Sequence, residues 1–180
     1  WKVRRRGEDW RIGDTLNTAI GQGFVLSSSL QLAVMTARLA TNRAVKPRLV
    51  KTFAGLELDP EAFSPLGVRS ENLLRVQTGM YDVINSSTGT AYGSRIESQK
   101  MNLAGKTGTS QVRGISRSER EDGVALNEDL PWKQRDHALF VGYAPFKSPR
   151  YAVSVIVEHG GSGSAIAAPI ARDIILAAQH

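Results

Sequence analysis

Residues 104–110, Ala-Gly-Lys-Thr-Gly-Thr-Ser, put a cation, three hydroxyls and two positions without a side chain on one short stretch. Such a set serves two chemistries. Gly105-Lys106-Thr107 is the end of a loop that cradles phosphates; Lys106-Thr107-Gly108-Thr109 is a strand that orients an acyl group and its carboxylate. The phosphate loop needs a glycine five positions before the Gly-Lys pair, and Lys100 stands there. It needs a helix to open directly after the pair, whereas Gly108 and the β-branched Thr109 follow, a poor helix start. It also needs an apolar strand ending in an acid to hold Mg²⁺, and none is ready. The nucleotide reading fails on three counts.

A serine acyl-transfer centre would also need a nucleophile with its base, usually Ser-x-x-Lys, and a Ser-x-Asn or Ser-x-Asp relay. No Ser-x-x-Lys occurs: Ser64, Ser94, Ser98, Ser110 and Ser148 all have another residue three places on. The one Ser-x-Asn, Ser70-Glu71-Asn72, sits where a helix cap and first turn are expected. His137 and His159 flank two expected strands without a third ligand at metal-binding spacing, so they read as structural, and His180 as a frayed terminus. Trp132 and Tyr143 fit either a substrate groove or packing at strand ends. The absence of cysteine removes disulfides and thiolate metal sites. No metal or organic cofactor is expected.

These residues need elements to hold them. The 180 residues suffice for one domain with a core, at 41% hydrophobic and 22% charged. The net charge of +6 is concentrated only at Lys2–Arg6, and Glu8 and Asp9 follow at once, so no nucleic-acid partner is expected. No apolar run is long enough to span a bilayer. The first residue is Trp1 rather than Met, so the stretch is expected to be a piece of a longer chain.

Residues 1–25 read as loop and turns, with a bend between Gly21 and Gly23. A helix is expected after Ser27–Ser29, with Leu30, Ala33, Val34 and Ala37 inward. Residues 47–69 read as extended and loop, broken by Pro60 and Pro65. A second helix from Glu71 to about Asn85, capped by Ser70, should bury Leu73, Leu74, Val76, Met80 and Ile84. Strands are expected around Lys106, at "HALFVGYAP" and at "RYAVSVIVEH", where Tyr151, Val153, Val155 and Val157 share one face. Between the first two lies a polar, mobile excursion, 113–134, that either shapes the site or is only solvated. A last helix, with Pro169 in its first turn, should bury Ile166, Ile170 and Ile174. The sum is an α+β fold: helices, a three-stranded antiparallel meander, and a helix packed on the sheet.

The segments "GDTLNTAIGQGFVLSSSLQLA", "INSSTGTAYGS", "AGKTGTSQV", "DHALFVGYAP" and "VIVEHGGSGSAIAAP" come in one order. In order and spacing they resemble the C-terminal half of the transpeptidase domain of class B penicillin-binding proteins. The Gly-Asp-Thr and Gly-Gln-Gly pair and "RDHALFVGYAP" are most like the elongation-type branch, which builds side-wall peptidoglycan in rod-shaped Gram-negative bacteria. The resemblance implies a penicillin-binding-protein/β-lactamase-like domain of antiparallel sheet and flanking helices. Residues 1–180 would be its C-terminal portion, without the nucleophile-bearing part, the pedestal or the membrane anchor.

The implied activity is serine D,D-transpeptidation of peptidoglycan stem peptides, with β-lactams as inhibitors. Matched by position, Lys106, Thr107, Gly108 and Thr109 form the Lys-Thr-Gly motif. Lys106 would supply fixed charge beside the proton relay. Thr107 and Thr109 would bind the substrate carboxylate. Gly108 would let the acyl group lie flat, and the Thr109 N–H would face the oxyanion, a donor worth roughly 2.7–4 kcal/mol. Implied partners are elongation-machinery membrane proteins, including a multispanning glycosyltransferase, with the domain on the periplasmic side of the inner membrane. The fragment alone is expected to be inactive, and its unpaired sheet edge invites self-association. A non-catalytic scaffold, a division-type transpeptidase or a β-lactam sensor would show the same strand; sequence upstream of Trp1 separates them.

Overall fold

The computed structural model describes residues 1–58, 61–115 and 117–178; Pro60 and His180 lie outside them. Where loop was expected at the start, there are two short helices, α1 (Lys2–Arg6) and α2 (Ile12–Ala19). Lys2 is buried between them and its ammonium is satisfied by Asp14 Oδ2 at 2.7 Å, the Asp9 carbonyl at 3.1 Å and Glu8 at 3.5 Å. Asp14 also accepts the Arg11 backbone N–H at 2.8 Å, closing the first turn of α2. The sequence did hold a signal for α2: Ile12, Leu16 and Ile20 recur at helical spacing, though all three are exposed. The expected bend is present, with Gly21 at φ 77° and Gly23 at φ 81°.

Helix α3 (Ser29–Thr41) opens on Ser28, whose hydroxyl accepts from Gln31 N–H while Gln31 returns a bond to Ser28 N–H. Its buried residues are Thr36 and Ala40, and Leu30 faces outward, against expectation. A two-residue hairpin, β1 (Thr52–Phe53) with β2 (Leu56–Glu57), interrupts the loop region. Helix α4 (Ser70–Asn85) begins after Arg69, so Ser70 lies inside the first turn and makes no cap. Leu73, Met80 and Ile84 are buried as expected, but Leu74 and Val76 are exposed. Gln77 ties α4 to α3, donating to the otherwise unpaired carbonyls of Leu39 (2.7 Å) and Ala40 (3.3 Å) at the end of α3.

Strands β3 (Ala104–Ser110), β4 (His137–Ala144) and β5 (Tyr151–Val157) form the expected antiparallel meander, in the order β3-β4-β5. The register pairs Lys106 with Val141, Thr107 with Phe140, Gly108 with Leu139 and Thr109 with Ala138. Alternation then divides the sheet. Phe140, Val153 and Val155 pack with Ile84, Leu103 and the last helix, α6 (Ala168–Ala178). On the other face Ala104, Tyr143 and Ala152 pack with Ala40 and Met80 from α3 and α4. Residues 113–134 are not a bare excursion. They carry a short helix, α5 (Arg117–Asp122), and two single turns, and Asn127 binds Asp136 through both its amide atoms at the start of β4.

The inward face of α6 differs from expectation. Ala168, Ala171 and Ile175 are buried, together with Ala167 in the preceding turn, while Ile166, Ile170 and Ile174 are exposed. The cause is a close approach. A Cβ on Gly163 would run into the Gly108 and Leu139 carbonyls and stand 3.0 Å from Gly108 N. A helix starting that near a strand has room only for small side chains in its first turns, here Ala168 and Ala171, with Ile175 buried farther along.

Candidate active site

Strand β3 has β4 on one side only, so its second edge is unpaired among the described residues. Ala104 and Gly105 at its start are buried, whereas Lys106, Thr109 and Ser110 are exposed and Thr107 and Gly108 half-buried. The strand is rooted in the core and open where its chemistry lies. Two glycines allow this: a Cβ at Gly105 would overlap the Phe140 ring, and one at Gly142 would stand 2.7 Å from that ring. Phe140 therefore fits flat beneath β3 and β4.

Lys106 Nζ donates to the Thr107 carbonyl at 2.7 Å and reaches Thr107 Oγ1 at 3.4 Å. Among the described residues it makes no ion pair. A lysine held over its own strand without a carboxylate is a charge available to an anion. The loop after α4 lies alongside. Thr90 Oγ1 is 3.3 Å from Thr107 Oγ1, and Ser86 Oγ is 3.0 Å from Thr88 Oγ1. Asn85, at the end of α4, donates to the Leu103 carbonyl at 2.9 Å, fastening this loop to the root of β3. The arrangement can orient a carboxylate and polarise a group laid along the strand edge. Nothing in the local sequence marks Thr90, because the pairing joins residues 17 apart.

The remaining candidates fall elsewhere. Ser70-Glu71-Asn72 opens α4, whose far end meets β3; at 1.5 Å per residue the two ends are roughly 20 Å apart. It cannot join Lys106 through α4. Tyr143 is 1% exposed and belongs to the core, not to a groove. Its hydroxyl is buried without a hydrogen-bond partner among the described residues, and burial pushes the phenol up to about 12. Trp132 is exposed, with its ring set edge-on against His159 at 4.4 Å. His137 Nδ1 accepts the His159 backbone N–H at 2.9 Å, and His159 Nδ1 meets the Arg135 carbonyl at 2.9 Å. The two histidines thus close the end of the sheet. Among the described residues, no group of three or more His, Asp or Glu could hold a metal ion. Nor is any helix there long and apolar enough to cross a membrane. An apolar cleft of about 450 Å³ on α3, lined by Leu30, Val34 and Met35 among others, contains none of the candidate residues.

Comparison with known proteins identifies the fold. The family model of the penicillin binding protein transpeptidase domain matches residues 4–176. The chain is 36% identical over 182 residues to the peptidoglycan D,D-transpeptidase MrdA of Haemophilus influenzae, covering 97% of this chain and 27% of that protein. It spans about a quarter of the length of the curated relatives it matches. Among solved structures it is similar to Pseudomonas aeruginosa PBP2 in complex with WCK 5153, at 37% identity and a TM-score of 0.78, over 99% of this chain and 36% of that one. It is also similar to Helicobacter pylori PBP2 in its complex with MreC, at 32% identity and a TM-score of 0.77, over 99% of this chain and 30% of that one. With its fold matched end to end and the open Lys106-Thr107-Gly108 strand in place, the chain belongs to the penicillin-binding-protein transpeptidase family.

Proposed function

We propose that this chain is the C-terminal part of the transpeptidase domain of an elongation-type peptidoglycan D,D-transpeptidase. The observation that carries the reading is the Lys106 ammonium, without an ion pair among the described residues, beside Thr107 on the open edge of β3. In the whole enzyme a serine outside these 180 residues attacks the carbonyl carbon of the penultimate D-alanine. The C–N bond breaks and the terminal D-alanine leaves with a proton on its amine. An amine of a neighbouring stem peptide then attacks the serine ester, forming the cross-link, and gives up one of its own protons to the released serine oxygen. Lys106 supplies positive charge beside the proton relay. Thr107 and Thr109 hold the donor's terminal carboxylate, and the Thr109 N–H stabilises the oxyanion. Gly108 leaves room for the acyl group along the strand.

A β-lactam enters as a carboxylate-bearing mimic of the donor and stays as the serine ester. The family resemblance suggests the periplasmic side of the inner membrane as the protein's place of work. Its partners there are elongation-machinery proteins, among them an MreC-like protein and a multispanning glycosyltransferase. The 180 residues by themselves contain no Ser-x-x-Lys, so they form one wall of the site and are inactive alone. Intact-mass spectrometry after incubation with a penicillin tests this, on the chain alone and on the chain extended upstream. A single β-lactam adduct on the extended protein only is the expected result. An adduct on the short chain overturns the motif assignment. If neither gains mass, the family scaffold without catalysis becomes the better reading.

A further inference from the structure

Thr107 has one hydroxyl proton and two lone pairs, and its neighbours decide where that proton points. Lys106 Nζ, 3.4 Å away, is purely a donor and occupies one lone pair. Among the described residues Thr90 Oγ1, 3.3 Å away, is its other hydrogen-bonding neighbour. If Thr107 donates to Thr90, no proton is left for a carboxylate. If Thr90 donates to Thr107, both lone pairs are filled and the proton is free to point toward a bound carboxylate. We propose that Thr90 is a positioning residue for the Thr107 hydroxyl: by donating to it, Thr90 makes Thr107 a dedicated donor to the substrate carboxylate. This rests on the transpeptidase reading above and assigns a residue outside the Lys-Thr-Gly motif to carboxylate recognition.

The loop is built to hold Thr90 in place. Gly89 N–H donates to the Ser86 carbonyl at 2.9 Å and Ala91 N–H to the Val83 carbonyl at 3.0 Å, so both neighbours of Thr90 are fastened to the end of α4. Ala91 is buried, and a Cβ on Gly89 would overlap the carbonyls of Asp82 and Val83. Thr90 itself remains exposed, on the open side of the loop. Its 3.3 Å contact is longer than the usual 2.7–2.8 Å between hydroxyls. An anion accepting from Thr107 polarises that hydroxyl and strengthens the bond it receives, so the Thr90-to-Thr107-to-carboxylate chain tightens as substrate arrives.

The test uses the protein extended upstream and two probes, benzylpenicillin and its methyl ester, which differ only in the carboxylate. The second-order acylation rate constant for each is read by intact mass. Thr90→Val and Thr90→Ala are expected to lower the acid-to-ester ratio about three- to tenfold, the scale of one hydrogen bond. Thr90→Ser keeps the hydroxyl and should hold the ratio. Adding Thr90→Val to Thr107→Val should lower the ratio no further than Thr107→Val alone. Equal slowing of both probes by Thr90→Val and Thr90→Ala overturns the proposal, since a merely structural role acts on both; so does an unchanged ratio. If the unsubstituted extended protein takes up neither probe, the transpeptidase reading falls and this inference with it.

Discussion

At the scale of single residues, burial separates Tyr143 from the site residues it resembles in type. Lys106 and Thr109 are exposed at the open end of β3, while the Tyr143 hydroxyl sits in the core with no hydrogen-bond partner among the described residues. An unsatisfied buried hydroxyl costs more than its absence, so Tyr143→Phe should leave stability unchanged or raise it by up to about 1 kcal/mol. The sign of its pH dependence follows from the raised phenol. The folded chain holds the proton to about 12, whereas the unfolded chain releases it near its ordinary value of 10.0. The stability linked to Tyr143 is therefore whole below pH 10 and is lost as pH rises from there toward 12. Urea midpoints across that range should fall less steeply for Tyr143→Phe than for the unsubstituted chain. Tyr143 and Trp132 were open to two readings from sequence because an aromatic at a strand end suits either a groove or a core; only solvent access distinguishes them.

At the scale of elements, two features turn on contacts that periodicity does not report. The α1–α2 pair is held by Lys2 and Asp14. The hydrogen bond from the Lys2 side chain, and then that from the Arg11 backbone, hold the Asp14 carboxyl below its ordinary value of 3.8. A lowered carboxylate contributes stability that is whole above the ordinary value and lost as pH falls through the folded one. Trp1 and Trp10 pack near Phe24, at 5.7 and 6.5 Å, so tryptophan emission should report loosening of this pair below about pH 4. Asp14→Asn should show that loosened emission already at neutral pH. Helix α6 is the second case. Its isoleucines make the stronger apolar stripe, yet its alanines face the sheet, because Gly163 brings the helix start against the Gly108 backbone. Gly163→Ala should cost about 1–3 kcal/mol, the range of overpacking in a filled interior. An unchanged denaturation midpoint would show that the close approach does not hold in solution.

At the scale of the whole molecule, the accessible surface is 12495 Å². A compact folded monomer of 19.6 kDa exposes about 8,600 Å². The difference is too large for a few protruding side chains. It coincides with apolar faces that have no cover among the described residues: Ile12, Leu16 and Ile20 on α2, Leu30 and Met35 on α3, and Ile166, Ile170 and Ile174 around α6. The unpaired edges of β3 and β5 add unbonded backbone groups. The isolated 180 residues should therefore self-associate. Sedimentation velocity should show a weight-average mass that rises with concentration, and a chain extended upstream should reduce the effect. A strictly monomeric short chain would mean that these faces are tolerated in water.

Much of this was written in local pattern. The meander of β3, β4 and β5 follows from period-two alternation and turn residues, α3 from capping and spacing, and α4 from spacing alone, since each depends on neighbours a few residues apart. The Lys106-Thr107-Gly108-Thr109 stretch was legible for the same reason, and so was the absence of Ser-x-x-Lys. What tertiary structure decided are the contacts between distant residues. Lys2 is buried because Asp14 reaches it, α6 turns its small side because Gly163 meets Gly108, and Thr90 stands beside Thr107 because a loop anchored to α4 sets it there. Each depends on close packing in three dimensions, which selects by size and partner rather than by hydrophobicity along the chain.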